Sequence, residues 1–281
     1  MPFEMTNSTV DTLVVTPDRG AVRGPGVDLR WRIIIDDPLP GSRNMALDHA
    51  LARTLQAGEG VLRLYGWERS TVSFGRNEPT AGLYSKEKAE RLGIDYIRRP
   101  TGGRAVLHDQ ELTYAVVVPG RTLGGPKSTY LRINEALVRG ISQLGLDVAT
   151  ATGGTVMAPD AGPCFSLPTP GEVVANGRKL VGSAQARLDG ALLQHGSLLL
   201  GGDQSVLDEL AGSKAAPGVP ATLKELLGEV RLPEVIRAVT EGFRQTLEGS
   251  WLDGGYDPAE IDEADRLEEE VYAQDEWTWR R

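Results

Sequence analysis

The sequence predicts an α+β domain, a mixed β-sheet flanked by helices. Three observations point to it. Strand-like and helix-like segments mix along the chain without the strict βαβ alternation of a doubly wound parallel sheet. Asn176-Gly177 and Asp189-Gly190 each join two strand-like runs, the chemistry of tight antiparallel hairpins. Residues 128–144 carry Leu131, Leu137, Ile141 and Leu144 on one broad face, the pattern of a helix lying on a sheet.

Taken in order, residues 1–29 are rich in Thr, Asp, Gly and Pro and lack periodicity, so they read as a poorly ordered tail with one short apolar strand at 12–15. A single folded domain is expected over 30–281, opening on the apolar run 31–35. A helix follows over 44–56, with Leu47, Leu51 and Leu55 four apart and Gly58 as its stop. Strands are expected at 61–65 and 71–74, a short helix at 85–92 ahead of Gly93, and strands at 94–98 and 111–118 on either side of Pro100-Thr101-Gly102-Gly103. After the helix at 128–144 comes a loop rich in Gly and Pro over 152–171. The runs 173–175, 178–187 and 191–200 then form a three-stranded meander through the two turns. From Asp203 the chain is mostly helical, most clearly at 234–247 and 260–276, and the acidic run Glu268-Glu269-Glu270 reads as a solvated helix face.

Composition narrows the function classes. Hydrophobic residues at 40% and charged residues at 25% suffice for a real core. A formal charge of −9 argues against a general nucleic-acid binder, which must neutralise phosphates. No apolar run is long enough to span a bilayer, and the N-terminus lacks a secretory pattern. One cysteine forms no internal disulfide, which suits a reducing cytoplasm. Cys164, His49, His108 and His195 are too scattered to suggest a metal site, and no cofactor is called for.

The lone cysteine is the first chemical candidate. Cys164 sits in Gly162-Pro163-Cys164-Phe165-Ser166-Leu167-Pro168, a loop without the pattern of a packed strand or helix, and loops carry many catalytic groups. A free thiol ionises near 8.5, about 1.5 units above neutrality, so a nucleophilic thiolate needs a cation nearby. Lys179, just past the Asn176-Gly177 turn, is that candidate, because the hairpin can fold it back against the loop. By the strand period of two, Lys179, Val181, Ser183, Gln185 and Arg187 share a face that can line a cleft. An ammonium there stabilises a thiolate and the negative charge that develops on an acyl carbonyl.

Arg98-Arg99-Pro100-Thr101-Gly102-Gly103-Arg104-Ala105-Val106-Leu107-His108-Asp109 is the second candidate. Gly102 and Gly103 let backbone approach a ligand closely, with amides free to face a carbonyl or phosphate. Arg99 and Arg104 flank them. His108 and His195 are candidate proton carriers, His195 because Gln194-His195-Gly196-Ser197 interrupts an apolar strand, whereas His49 reads as exposed.

With these residues in view, the chain resembles the biotin/lipoate ligase and octanoyltransferase superfamily, and within it the cysteine-dependent, LipM-like octanoyltransferases. The resemblance rests on Asn44-Met45-Ala46-Leu47-Asp48, on 98–109 continued through Glu111-Leu112-Thr113-Tyr114, on 177–185 with Gln194-His195-Gly196-Ser197-Leu198-Leu199, and on 272–277. It implies a mixed sheet with flanking helices and an acyl pocket lined by the segment from Arg99 to Gly103. It also implies that Lys179 contacts the acyl carbonyl and that Cys164 carries a thioester. Octanoyl-acyl carrier protein is the implied donor, and a lysine of a lipoyl-carrier protein, either glycine-cleavage H protein or a dehydrogenase lipoyl domain, the implied acceptor. The acyl-substrate residues expected on this basis are Arg99, Gly102, Gly103, His108, Ser183 and His195. The position of Cys164 before the hairpin separates the LipM-like branch from the other octanoyltransferases, whose cysteine follows the lysine. Arg104 replaces a third glycine found in many lipoate ligases, and the basic Gly-Arg-Gly loop of biotin ligases is absent. An ATP-dependent lipoate ligase and a non-catalytic carrier-binding homologue are the alternative activities on this scaffold.

Overall fold

The computed structural model describes residues 28–153, 169–212 and 219–281. The expected strand at 12–15, the rest of the tail through residue 27 and Cys164 lie outside the described residues.

In chain order the elements are β1 (Leu29–Ile35), α1 (Gly41–Thr54), β2 (Glu59–Tyr65), β3 (Thr71–Phe74), α2 (Lys86–Leu92), β4 (Asp95–Arg98), β5 (Val106–His108), β6 (Glu111–Pro119), α3 (Pro126–Ser142) and β7 (Val148–Thr150). There follow β8 (Val173–Ala175), β9 (Arg178–Leu188), β10 (Ala191–Leu199), α4 (Val206–Ala211), α5 (Leu223–Leu227), α6 (Leu232–Thr246), β11 (Gly249–Asp253), α7 (Pro258–Leu267) and α8 (Asp275–Thr278). Eight strands form one sheet in the order β11-β1-β2-β6-β10-β9-β8-β7, and three form a second in the order β4-β3-β5. Both sheets mix parallel and antiparallel pairs, as the absence of βαβ alternation implies.

The meander formed as read. Asn176 and Gly177 have φ of 49° and 71°, Asp189 and Gly190 of 49° and 92°, the left-handed pair of a tight hairpin turn. On β6 the alternation sends Leu112, Tyr114, Val116 and Val118 to the face covered by α3 and α6, where they meet Ile133, Leu137, Val239 and Phe243. Ala115 and Val117 face the other side, under Met45, Leu47 and Leu51 of α1. The small sheet has its own core, in which Val72, Phe74 and Leu107 pack on Ala89 of α2 and Leu207 and Leu210 of α4.

Three differences from the sequence reading have physical causes. The strands read at 94–98 and 111–118 belong to different sheets, because β5 inserts between them and pairs back onto β3. β11 went unread: Leu252 on its exposed face puts two apolar residues side by side and hides the strand alternation, and it is held by parallel pairing to β1 and by Trp251 stacked 4.7 Å from Trp31. The helix expected over 260–276 is shorter. α7 starts at an Asp257–Glu260 capping box and gives way to a π-helical turn at Glu268–Tyr272 before α8.

Candidate active site

A cleft with about 430 Å³ of empty space, open solvent included, lies between the two sheets. Gly182, Ser183 and Ala184 of β9 and His195, Gly196 and Ser197 of β10 form one wall. Ser73, Val106 and His108 of the small sheet, with Arg99 and Gly103 of the turn, form the other, and Met45, Tyr65, Trp67 and Thr113 complete it. Arg99, Gly103, His108, Ser183 and His195 are thus brought together from four stretches of chain. Gly102 sits exposed in the same turn, and Lys179 is not among the described residues lining the cleft.

His195 belongs to a fully buried chain of polar groups. Asp48 on α1 has its carboxyl below the ordinary carboxylate range: burial favours the neutral acid, but the His195 hydrogen bond and the Arg63 charge outweigh it. An ionised carboxylate only accepts, so His195 Nδ1–H donates to Asp48 Oδ2 at 2.8 Å. Burial pushes the His195 imidazole below its ordinary value against the pull of Asp48, so the ring is neutral and Nε2 accepts from the Thr101 hydroxyl at 2.6 Å. Asp48 also receives Arg63 Nη1 at 2.8 Å and the Tyr65 hydroxyl at 2.9 Å.

A second chain has the same chemical order. His108 Nδ1 lies 2.8 Å from Glu111 Oε1, and Nε2 lies 2.7 Å from Ser73 Oγ. Ser73 Oγ accepts from Arg99 Nη1 at 3.0 Å, so its own proton points to His108. The Ser197 and Thr113 hydroxyls also donate to Glu111 Oε1. Trp67 covers the ring, stacked at 3.9 Å, with its Nε1 donating to Thr113 Oγ1.

The glycine turn is shaped from within. Gly103 has φ of 95°, and the Gly103 carbonyl would lie 1.9 Å from a Cβ on Gly75, so both positions exclude larger residues. Arg99, expected to face a ligand anion, instead spends much of its guanidinium on the carbonyls of Gly102, Arg104 and Ser73. Glu78 accepts from the amides of Gly75 and Ala105, tying the end of β3 to the turn, and burial raises its carboxyl above the ordinary range. His49, read as exposed, is half-buried and bonded to the Tyr272 hydroxyl.

Lys179 and Ser183 are also engaged. Lys179 is buried, with Nζ 2.7 Å from Glu172 Oε1. A register shift between Val173 and Val174 interrupts the period of two that would set Lys179 in line with Val181, and Leu180 and Val181 are both buried. The Ser183 hydroxyl pairs with the Tyr114 hydroxyl at 2.7 Å.

Asp48, Ser73, Glu78, Glu111 and Glu172 were not read from the sequence as site residues, and Thr101 was read only as part of the segment from Arg99 to Gly103. Asn44 and Asp48, four apart on one helix among apolar neighbours, were the available signal for the first chain. Asn44 Oδ1 takes Arg63 Nη2 at 2.8 Å.

Residues 40–244 match the lipoyl protein ligase A/B catalytic domain. The octanoyltransferase LipM of Kyrpidia tusciae is 38% identical over 274 residues, covering 89% of this chain and 99% of its own. That of Bacillus subtilis is 34% identical over 273 residues, covering 89% and 98%. Among solved structures, the putative lipoate protein ligase of T. acidophilum with bound lipoic acid superposes with a TM-score of 0.75 at 26% identity, covering 89% of this chain and all of its own. A lipoate-protein ligase A bound with ATP gives 0.77 at 26% identity, covering 89% and 99%. The chain belongs to the lipoyl protein ligase A/B catalytic-domain family, on the octanoyltransferase side represented by the Kyrpidia and Bacillus proteins.

Proposed function

We propose that this octanoyltransferase of lipoate biosynthesis works in two half-reactions joined by a thioester on Cys164. The Cys164 thiolate attacks the thioester of octanoyl-acyl carrier protein, the carrier thiol leaves, and octanoyl-Cys164 remains. The lysine of a lipoyl domain, on glycine-cleavage H protein or a dehydrogenase subunit, then takes the acyl group as an amide. Replacing a thioester by an amide is downhill, so ATP is unnecessary. Lys179 is the cation that favours the thiolate and steadies the oxyanion. The acyl chain occupies the cleft between the sheets, against Arg99, Gly102, Gly103, His108, Ser183 and His195.

The observation that carries this reading is the anchoring of Lys179. Glu172 receives Lys179 Nζ on Oε1 at 2.7 Å and the Thr169 amide on Oε2 at 2.8 Å. The ammonium is thereby tethered to chain only five residues past Cys164. The reading also assigns the chain to the cytoplasm, where a single thiol stays reduced. No described helix is long and apolar enough to cross a membrane.

The test is intact mass after incubation with octanoyl-carrier, with and without a lipoyl domain. The wild type is expected to gain one octanoyl group and lose it to the acceptor, and Cys164→Ala and Cys164→Ser to gain none. Full transfer by Cys164→Ala overturns the proposal. The likeness to ligases is tested in parallel: carrier modification from free octanoate, ATP and Mg²⁺, with none from the carrier thioester, would establish the ligase reading instead.

A further inference from the structure

We infer that Arg98 is a positioning residue for the acyl site: it fastens the segment 272–281 to the glycine turn and so fixes the separation of the cleft's two walls. This role rests on the placement of the acyl chain in the cleft proposed above.

The two walls belong to different sheets, so the cleft keeps its width only if one layer is fixed to the other. The segment 272–281 makes such a link. Tyr272 is buried in the core that holds Met45 and Leu51 of α1, on the large sheet. Trp279 packs in the core of the small sheet, its ring 5.4 Å from Phe74 and 5.0 Å from Tyr96. Between these two residues the chain passes from one layer to the other.

Arg98, at the end of β4, is where that link is fastened. Its side chain is wholly buried, and its planar fork reaches two stretches of chain at once. Nε donates to the Trp277 and Thr278 carbonyls at 3.2 and 2.9 Å. Nη1 donates to the Gly75 and Glu78 carbonyls at 2.6 and 2.9 Å, and Nη2 to Thr80 Oγ1 at 3.1 Å. Trp277 Nε1 answers by donating to the Arg98 carbonyl at 2.8 Å. The Thr80 hydroxyl then donates to Arg281 O at 2.7 Å, which also takes the Thr80 and Ala81 amides. All of these acceptors are neutral oxygens. Burial, with the charges of Arg280, Arg281 and Arg99 nearby and Glu78 opposing them, pushes the guanidinium down to about 10, so it stays charged at neutral pH.

The stretch that Arg98 grips is the one that shapes the turn. Arg76 donates its amide to the Thr101 carbonyl at 2.7 Å, and Glu78 takes the Gly75 and Ala105 amides. Gly75 packs against the Gly103 carbonyl. Arg99 and Gly103 line the cleft, and Thr101 meets His195 of the opposite wall. A shift of residues 75–80 is therefore a shift of one wall against the other.

The test uses two variants of the full chain. Thr80→Val keeps the side chain's shape and removes its hydroxyl bonds, and Arg98→Lys keeps the charge but loses the fork. Hydrogen exchange at the amides of residues 99–105 is expected to speed up about tenfold in Thr80→Val, with β6 and β10 unchanged. A loosened wall admits a longer chain, so transfer from dodecanoyl-carrier relative to octanoyl-carrier is expected to rise about tenfold in both variants, with the KM for the lipoyl domain unchanged. Unchanged exchange at 99–105 overturns the coupling. An equal loss of transfer with both donors marks a role in stability alone and also overturns it. Ala184→Phe, which narrows the cleft from β9, reports the acyl placement separately and is expected to favour hexanoyl-carrier over octanoyl-carrier. If it leaves the chain-length preference unchanged, the acyl placement fails, while exchange still decides whether Arg98 fixes the turn.

Discussion

Asp48 of α1 and Arg63 of β2 form an ion pair at 2.8 Å with both side chains wholly excluded from water. Asp48 therefore shares the buried guanidinium with Asp36, which takes Arg63 Nε at 2.7 Å, and also orients the cleft's imidazole. Asp48→Ala leaves Arg63 paired with Asp36 at Nε alone, strands buried donors of Arg63, Tyr65 and His195, and is expected to cost about 1–3 kcal/mol. Denaturant unfolding should show it, with Asp48→Asn milder because it keeps a hydrogen-bond acceptor. A loss below about 1 kcal/mol for Asp48→Ala would mean that water or another group reaches the pair.

The acid response follows from the same cluster. The folded His195 pKa is below its unfolded value, so the unfolded chain binds more protons in the interval between them. Stability is complete above about pH 6.5 and declines as pH falls toward the folded value. The slope should shrink in His195→Gln, measured by denaturant unfolding between about pH 8 and pH 5, with the rest carried by His49, which burial also holds below its ordinary value. Asp48, also depressed, contributes stability above its unfolded value near 3.9, and that contribution is lost only at lower pH. An unchanged slope in His195→Gln would assign the dependence to another group.

Gly75, just past β3, and Gly102, in the turn, offer a contrast. A Cβ on Gly75 would lie 1.9 Å from the Gly103 carbonyl, whereas one on Gly102 meets nothing within 4 Å. Gly75→Ala is expected to cost about 1–3 kcal/mol through displaced backbone, with a matching loss of transfer. Gly102→Ala should stay within about 0.5 kcal/mol. Thermal unfolding of the two variants checks the order, and equal melting temperatures would contradict the close approach.

Breaking the Lys179–Glu172 pair separates stability from chemistry. Lys179→Met strands a buried carboxylate and should destabilise by about 3–5 kcal/mol. The double variant Lys179→Met/Glu172→Leu removes both charges and should recover most of that loss without recovering transfer. Recovery of transfer together with stability would show that Lys179 serves only the fold.

How much of this was legible varies by element. The hairpins were, because Asn176-Gly177 and Asp189-Gly190 carry left-handed backbone locally. So was the stretch from Arg99 to Gly103, because adjacent glycines beside arginines mark a close backbone approach. Arg99 was legible as a site residue but not in its partners, since the carbonyls of Ser73, Gly102 and Arg104 converge on it only after β3 meets the turn.

What the sequence by itself determined is the set of chemical groups and their local frames: a mixed α+β fold, a Gly- and Pro-rich stretch around the lone cysteine, a lysine after a tight turn, and histidines interrupting apolar strands. Those follow from side-chain type and short-range periodicity. Only the tertiary structure decided which histidine meets which carboxylate. Asp48 and His195 are 147 residues apart, and their 2.8 Å contact exists because α1 lies over β10 on one face of the large sheet. The same is true of the cleft itself, whose walls belong to two sheets. Pairing over such distances depends on how strands are ordered and faces buried, which no local pattern encodes.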